Sequence, residues 1–530
     1  MNEPRRDRSA ATARLAAGCL LLALAGAAAF RLPRLGQRPM HADEAVQAAR
    51  SRDLWQRGRY RYDPHEFHGP TLPYATLPSL WLSGADSFAA TTKTTYRIVP
   101  ALFGIGALVL LWLLADGLGR PAVAVAAVLW AISPAMVFYS RYYIHETLLS
   151  LFTLAAVGAV WRYVRGGKLR WCLAAGAFVG LMQATKETSI ISCAAAAIGL
   201  GAMALWGRLW REEDRTWHAP GPAWHGAAAL AMALFVAVLL LSSLLTNARG
   251  PLDGVLTYLP WLRRAGGSSP HLHPCYYYLR MLAWWRADTG PIWSEGLILV
   301  LAAIGFAAAL APGAKVPSGA SVRFVRWLGF TTLASTALYS TIPYKTPWCV
   351  VQFLGGMILL AGVGGVVLVR VVPTRALKAL TVLLLLAAAG QLGWQSYRAS
   401  YLLAADPANP YVHTPTRPKF EQLAQQIDAL AEAWPDRRDF SIWVLWHDQY
   451  YWPLPWYLRR YGPIGRLDRV PDGPAPAVIV ASAEFNPELA RRLDGTHQMP
   501  SFYEMRPGVF VVLWVRKDVW RAHLERLNRL

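Results

Sequence analysis

AAALAMALFVAVLLLSSLL, residues 227–245, runs without one charged side chain. At a helical rise of about 1.5 Å per residue, such a segment crosses the roughly 30 Å hydrocarbon core of a bilayer. It is apolar on every face, where a helix on a soluble surface would show a polar side. LAAGCLLLALAGAAAF (15–30) and TVLLLLAAAGQLGW (381–394) repeat the pattern near the two ends of the apolar region. Eleven spans are predicted, over 14–30, 96–115, 121–138, 145–163, 171–186, 188–206, 224–246, 291–311, 326–343, 349–370 and 376–396. Composition agrees. The 530 residues are 55% hydrophobic and 16% charged, against about 25% charged in soluble domains. The chain reads as a polytopic α-helical membrane protein.

The formal net charge of +21 comes from Arg and Lys spread through short connections. Nucleic-acid binding would need them clustered with aromatics in one soluble unit, so that class is excluded. Alternate connections carry Arg5, Arg6, Arg8 and Arg14; Arg120; Arg162, Arg165, Lys168 and Arg170; Arg208, Arg211 and Arg215; Lys315 and Arg323; Arg370, Arg375 and Lys378. Basic connections stay cytoplasmic, which puts the N-terminus inside. With an odd number of spans, the C-terminal region lies outside the inner or plasma membrane. The five cysteines (19, 172, 193, 275, 349) show no CxxC spacing, and AAGC (16–19) belongs to the first span.

Residues 71–90 (TLPYATLPSLWLSGADSFAA) are too short and Pro-interrupted to span, and are expected at the outer surface. The transmembrane unit is assigned to 1–396. Beyond it, 418–433 has helical apolar spacing. FSIWVLW (440–446), AVIVAS (477–482) and GVFVVLWV (508–515) read as strands. Residues 397–530 are therefore predicted to form a small α/β domain on the outer face.

With sides assigned, the polar motifs collect on that face. RPMHADEAVQAA (38–49) supplies His41, Asp43 and Glu44; the same loop adds His65, Glu66 and His68. Arg97 opens the second span. Arg141, His145 and Glu146 sit in SRYYIHET, Lys186 and Glu187 in ATKETS, and Tyr344 and Lys345 in IPYKTPWC. Wet span ends explain any one of these motifs, but not carboxylates recurring beside His, Arg and Lys at several connections. An adjacent Asp-Glu pair can divide proton transfer from orientation, and Arg and Lys suit a phosphate. That set describes transfer from a phosphate-activated donor, with apolar span walls for a lipid tail. HEFH is not HExxH, so no zinc-protease helix is implied; a divalent cation held by His and carboxylates is left open.

HADEA, HGPTLPY, the RIVPALFG opening of the second span and RYYIHET resemble the GT-C membrane glycosyltransferases. The likeness is to the family-39 type, which includes protein O-mannosyltransferases and lipid A aminoarabinose transferase. It is closer still to the "flippase activity-associated" membrane proteins, and covers roughly residues 10–400. The resemblance implies a polyprenyl-phosphate-linked sugar as donor and transfer on the outer face. It places the family's acidic pair on Asp43 and Glu44, with Asp43 as base and Glu44 orienting a neighbour such as Arg97 or helping hold a cation. Arg97 and Arg141 match motif positions, and are expected to hold the donor phosphate or brace the acidic pair. Lys186 and Lys345 are assigned to phosphate by chemistry and side alone. The acceptor (protein, lipid or glycan) stays open. The rival readings are a transporter or flippase component for a lipid-linked sugar and an inactive partner of a glycosylation complex.

Overall fold

Each predicted span coincides with a helix in the computed structural model. It describes residues 3–529 apart from 66–67, 211–220, 267–270, 288, 312–313, 315, 317–318, 436–439, 449 and 463. Arg211, Arg215 and Lys315, used above for orientation, and the candidate Glu66 lie outside the described residues. In chain order the first helices are α1 (Glu3–Arg31), α2 (Ala42–Arg57), α3 (Thr71–Leu82) and α4 (Lys93–Leu110), the last running on through short helical turns to Leu118. Then come the pair Arg120–Ile132 and Pro134–Ser140, and the helices Glu146–Gly166, Leu169–Gln183, Ser189–Leu209, Trp224–Leu241, Gly296–Leu310, Val322–Thr341, Val351–Val371 and Arg375–Tyr397. Among the described residues seven helices are long and apolar enough to cross a membrane, and the bent pair makes an eighth if it is one span. Leu169–Gln183 and Gly296–Leu310 are apolar but shorter.

Two boundaries moved for local reasons. The span expected to run to 246 stops at Leu241, and Ser243, Leu244 and Leu245 have positive φ. There Ser243 Oγ accepts the Tyr60 N–H at 2.7 Å, drawing the chain toward the loop after α2. The third span bends by 59° at Ser133–Pro134. Proline pushes its predecessor out of helical geometry, and Ser133 sits at ψ 125°. The freed groups are caught by buried Glu295, which accepts from Ser133 Oγ (2.5 Å) and the Ala135 N–H (3.0 Å).

Val351–Val371 is the central helix and is buried along nearly its whole length, whereas Ser189–Leu209, Trp224–Leu241 and Arg375–Tyr397 turn most residues outward. It meets Gly296–Leu310 backbone to backbone. A Cβ on Gly364 would lie 1.8 Å from Leu301 O, so only glycine allows this approach.

The C-terminal region holds a five-stranded sheet, β1 (Ile442–Leu445), β2 (Arg466–Leu467), β3 (Val478–Ser482), β4 (His497–Arg506) and β5 (Val509–Arg516), in the order β2-β1-β3-β5-β4. β1 runs parallel to β2 and β3; β5 runs antiparallel to β3 and β4. Strand alternation gives the sheet two apolar faces. Val444, Val478, Val480 and Leu513 pack with Leu423, Ile427 and Leu430 of the helix Glu421–Ala433. Ile479, Ala481, Val512 and Trp514 pack with Leu489 of Asn486–Leu493.

Candidate active site

The chain leaves α1 at Arg31, turns at Arg34 (φ +52°) and re-enters helix at Ala42. His41 caps α2: its Nδ1 accepts the Asp43 N–H at 3.1 Å, so Nε2 carries the proton and donates to His413 O at 3.0 Å. Burial, first of all, lowers the His41 pKa below the ordinary histidine value. Glu44 completes the cap by accepting the His41 N–H at 3.1 Å.

The adjacent carboxylates go opposite ways. Glu44 is fully buried and accepts from Arg97 Nη2 (2.6 Å) and Nε (2.7 Å), Arg38 Nη2 (3.0 Å) and the Tyr143 N–H (2.9 Å). Burial alone would raise its pKa; the Arg38 and Arg97 charges and these hydrogen bonds outweigh it and hold the carboxyl well below its usual range. Asp43 leaves its side chain 49% exposed, with His41 Nδ1 at 3.9 Å and no Arg or Lys ion pair among the described residues.

Arg97 also donates to the carbonyls of Leu35, Arg38 and Pro39 at 2.8–2.9 Å. Arg141 donates to Arg31 O and Pro33 O (2.8 Å each) and to Tyr401 Oη (3.1 Å), with its guanidinium 4.3 Å from the Tyr401 ring. Both arginines therefore hold residues 31–39 in shape, and Arg97 makes the bracing contact to Glu44.

A second group gathers beside the first. His68 Nδ1 lies 2.8 Å from Glu187 Oε2, whose other oxygen accepts from Tyr62 Oη at 2.7 Å. His145 Nε2 bonds Gly69 O at 3.0 Å, and Lys186 pairs with Glu146. Tyr143, two residues before His145, links this group to Glu44. Lys345 is buried, its ammonium donating to His273 O (3.0 Å) and Ile342 O (2.5 Å), and Tyr344 forms a bridge with Leu272. His65 is exposed, with its Nδ1 3.7 Å from Asp63.

Sequence reading missed the histidine and arginine neighbours of Asp43. His271 and His413 approach with ring centroids 4.7 Å apart, and Trp348 packs 5.1 Å from His413. Burial first, then His41 and His271, push His413 down to about 3, so it is neutral. Arg506 of β4 lies within electrostatic reach of Asp43 and keeps a buried Nε without a partner. HLHP (271–274) was the one local signal; the rest come together only in three dimensions. Among the described residues no group of three or more His, Cys, Asp or Glu is placed to hold a metal ion. His41 Nδ1 is already taken, so the His41–Asp43 pair offers a cation one carboxylate alone.

The C-terminal region closes over the loop before α2. Tyr457 Oη accepts the Met40 N–H at 2.9 Å, and Thr416 Oγ donates to Met40 O at 2.8 Å. Lys93 pairs with Glu421 at 2.7 Å, and Arg459 donates to Thr91 O at 2.9 Å.

This arrangement, a bundle of apolar helices followed by a small sheet domain, is the GT-C fold. The family model of dolichyl-phosphate-mannose-protein mannosyltransferase matches residues 79–241. The structure of ArnT from Cupriavidus metallidurans in the apo state superposes with a TM-score of 0.65 at 16% identity, covering 94% of this chain and 98% of that one. The same protein bound to undecaprenyl phosphate gives 0.63 at 15% identity over the same shares. The archaeal oligosaccharyltransferase AglB from Archaeoglobus fulgidus, in complex with an inhibitory peptide and a dolichol-phosphate, gives 0.53 at 12% identity, over 89% and 70%. No curated protein sequence matches the chain.

Proposed function

We propose that this protein is a membrane glycosyltransferase that moves a sugar from a polyprenyl-phosphate carrier to an acceptor on the outer face of the cell membrane, with residues 397–530 on that face. The observation that carries the reading is the split pair on α2: Glu44 is fully neutralised and fixed, while Asp43 beside it stands half-exposed with no Arg or Lys ion pair among the described residues. Support comes from the GT-C fold and from the undecaprenyl phosphate and dolichol-phosphate held by structural neighbours.

In this mechanism Asp43 accepts the proton of the attacking hydroxyl or amine. The nucleophile bonds to the anomeric carbon as the bond from that carbon to the carrier phosphate breaks, and the phosphate leaves with the electron pair. A well-placed base contributes about 10²–10⁴-fold. Glu44, Arg97 and Arg38 do not touch substrate; they fix the first turn of α2 and so aim Asp43. His41 keeps the same turn rigid as a neutral cap. Arg506, whose Nη2 donates to Tyr450 O at 2.5 Å but whose Nε is unpartnered, is the cation offered to the leaving phosphate; Lys186 is neutralised by Glu146 and Lys345 is held by two carbonyls.

The test is release of free polyprenyl phosphate by the purified protein from a panel of polyprenyl-phosphate sugars supplied together with hydroxyl- and amine-bearing acceptors. Release by the wild type and not by Asp43→Asn is expected. Equal release by both overturns the assignment of the base, and release by neither, with the sugar moved across vesicle membranes instead, would favour the transporter.

A further inference from the structure

A cavity of about 220 Å³ lies behind the loop 34–39, against the arginines that grip Glu44. Four arginines line it: Arg34, Arg38, Arg97 and Arg141. Its other walls include Tyr401 and Ser400, at the π-helical turn that ends the last apolar helix, and Glu421. Asp43 does not line it. The cavity therefore sits where α1 and the last apolar helix finish, at the outer headgroup level of the bilayer in the topology proposed above.

The charges around it do not balance. Glu44 serves Arg97 and Arg38 together, and Glu421 is already held by Lys93 at 2.7 Å. Among the described residues Arg34 and Arg141 have no carboxylate partner; Arg141 reaches only carbonyls and Tyr401 Oη. Arg141 is buried, and buried charge left this way is costly unless an anion completes it; exposed Arg34 adds a second cation to the wall.

Unused donors sit at the same wall. Ser400 is 7% exposed and its Oγ has no partner. Arg38 uses only Nη2 for protein acceptors, at Glu44 and Arg141 O, and its buried Nε has none. Guanidinium forks and a hydroxyl are the donors that match a tetrahedral oxyanion.

We propose that this cavity binds a phosphate group, separate from the carrier phosphate at Asp43. The group can arrive as a free phosphate or as the headgroup of an outer-leaflet lipid. The outward leucines of the last apolar helix, among them Leu383 and Leu386, give a lipid chain its path to the site. Occupancy adds an oxyanion to Arg38, which grips Glu44 and through it the turn that bears Asp43.

The experiment uses the full chain in discs of a zwitterionic lipid, titrated separately with inorganic phosphate and with phosphatidic acid. Binding is read by the rise in melting temperature and by native mass spectrometry. Arg34→Gln and Ser400→Ala test the wall; Arg34 is exposed, so its loss leaves the fold intact. Each should weaken binding roughly tenfold, the effect of one charged hydrogen bond, while Arg34→Lys keeps part of it. Saturation by inorganic phosphate supports a free source, and saturation by phosphatidic acid alone supports a lipid source. Binding of either that is unchanged in both variants, or binding of neither, overturns the site.

Discussion

Replacing Glu44 by Gln keeps the volume of the side chain and removes one charge from a site sealed off from water. In the wild type its oxygens accept five hydrogen bonds, from His41 N, Tyr143 N, Arg38 Nη2, Arg97 Nε and Arg97 Nη2. The amide offers one acceptor oxygen, and its NH2 would face guanidinium donors. Arg97, 1% exposed, would keep its carbonyl contacts but lose its only counter-charge. Breaking a buried ion pair from one side costs about 3–5 kcal/mol, and that is the loss expected at neutral pH. The pH dependence follows from the direction of the pKa shift. A carboxyl held below its unfolded value contributes its full stability above that value and loses it only as pH falls through the folded one. The gap between wild type and Glu44→Gln should therefore stay constant from about pH 8 to about pH 5.5 and narrow only on further acidification. Denaturant unfolding in detergent, followed by tryptophan fluorescence at several pH values, measures it. A gap under about 1 kcal/mol at pH 7, the worth of an exposed ion pair, would refute the claim that this buried pair anchors α2.

Asp43→Asn should unfold like the wild type, because its side chain is half-exposed with no Arg or Lys ion pair among the described residues, yet lose about 10²–10⁴-fold in sugar transfer; a turnover assay beside an unfolding curve separates the two. Arg141→Lys should lower stability by about 1–3 kcal/mol by leaving carbonyls of residues 31–34 short of donors, while donor affinity measured by lipid-sugar titration stays unchanged. Tyr457→Phe removes the acceptor for the Met40 N–H, and should reduce turnover more than it reduces the melting temperature; the opposite ordering would make the contact merely structural. A reporter fused after Leu530 should be active only outside the cytoplasm, and cytoplasmic activity would overturn the proposed side of the site.

Much of this architecture was legible because the bilayer imposes one length on every crossing. That requirement is strong enough to place a helix at each of the eleven apolar runs, of which seven, or eight with the bent pair, are long and apolar enough to cross among the described residues. The bend at Ser133–Pro134 was hidden because proline in an apolar run marks a kink without saying what catches the freed groups, and Glu295 is 162 residues away. β4 was missed for a related reason: HQMPSFYEMR carries Pro500 and charged residues, which an edge strand tolerates and an interior strand does not. At the site, the sequence could place Asp43 and Glu44 together but not say which faced inward. Successive helical residues diverge by about 100°, and only the positions of Arg97 and Arg38 decide the matter. His271, His413 and Arg506 come from separate connections and from β4, so no spacing announces them.

The contacts of Met40 with Thr416 and Tyr457 also bear on the order in which the protein is made. A chain emerges N-terminus first, so α2 and its acidic pair are made early, hundreds of residues before the groups that hold their loop. Until residue 457 has been translated, that loop lacks its outer wall. Under the proposed function, Asp43 would stand beside an unwalled loop until the C-terminal domain has folded down onto the first helix pair.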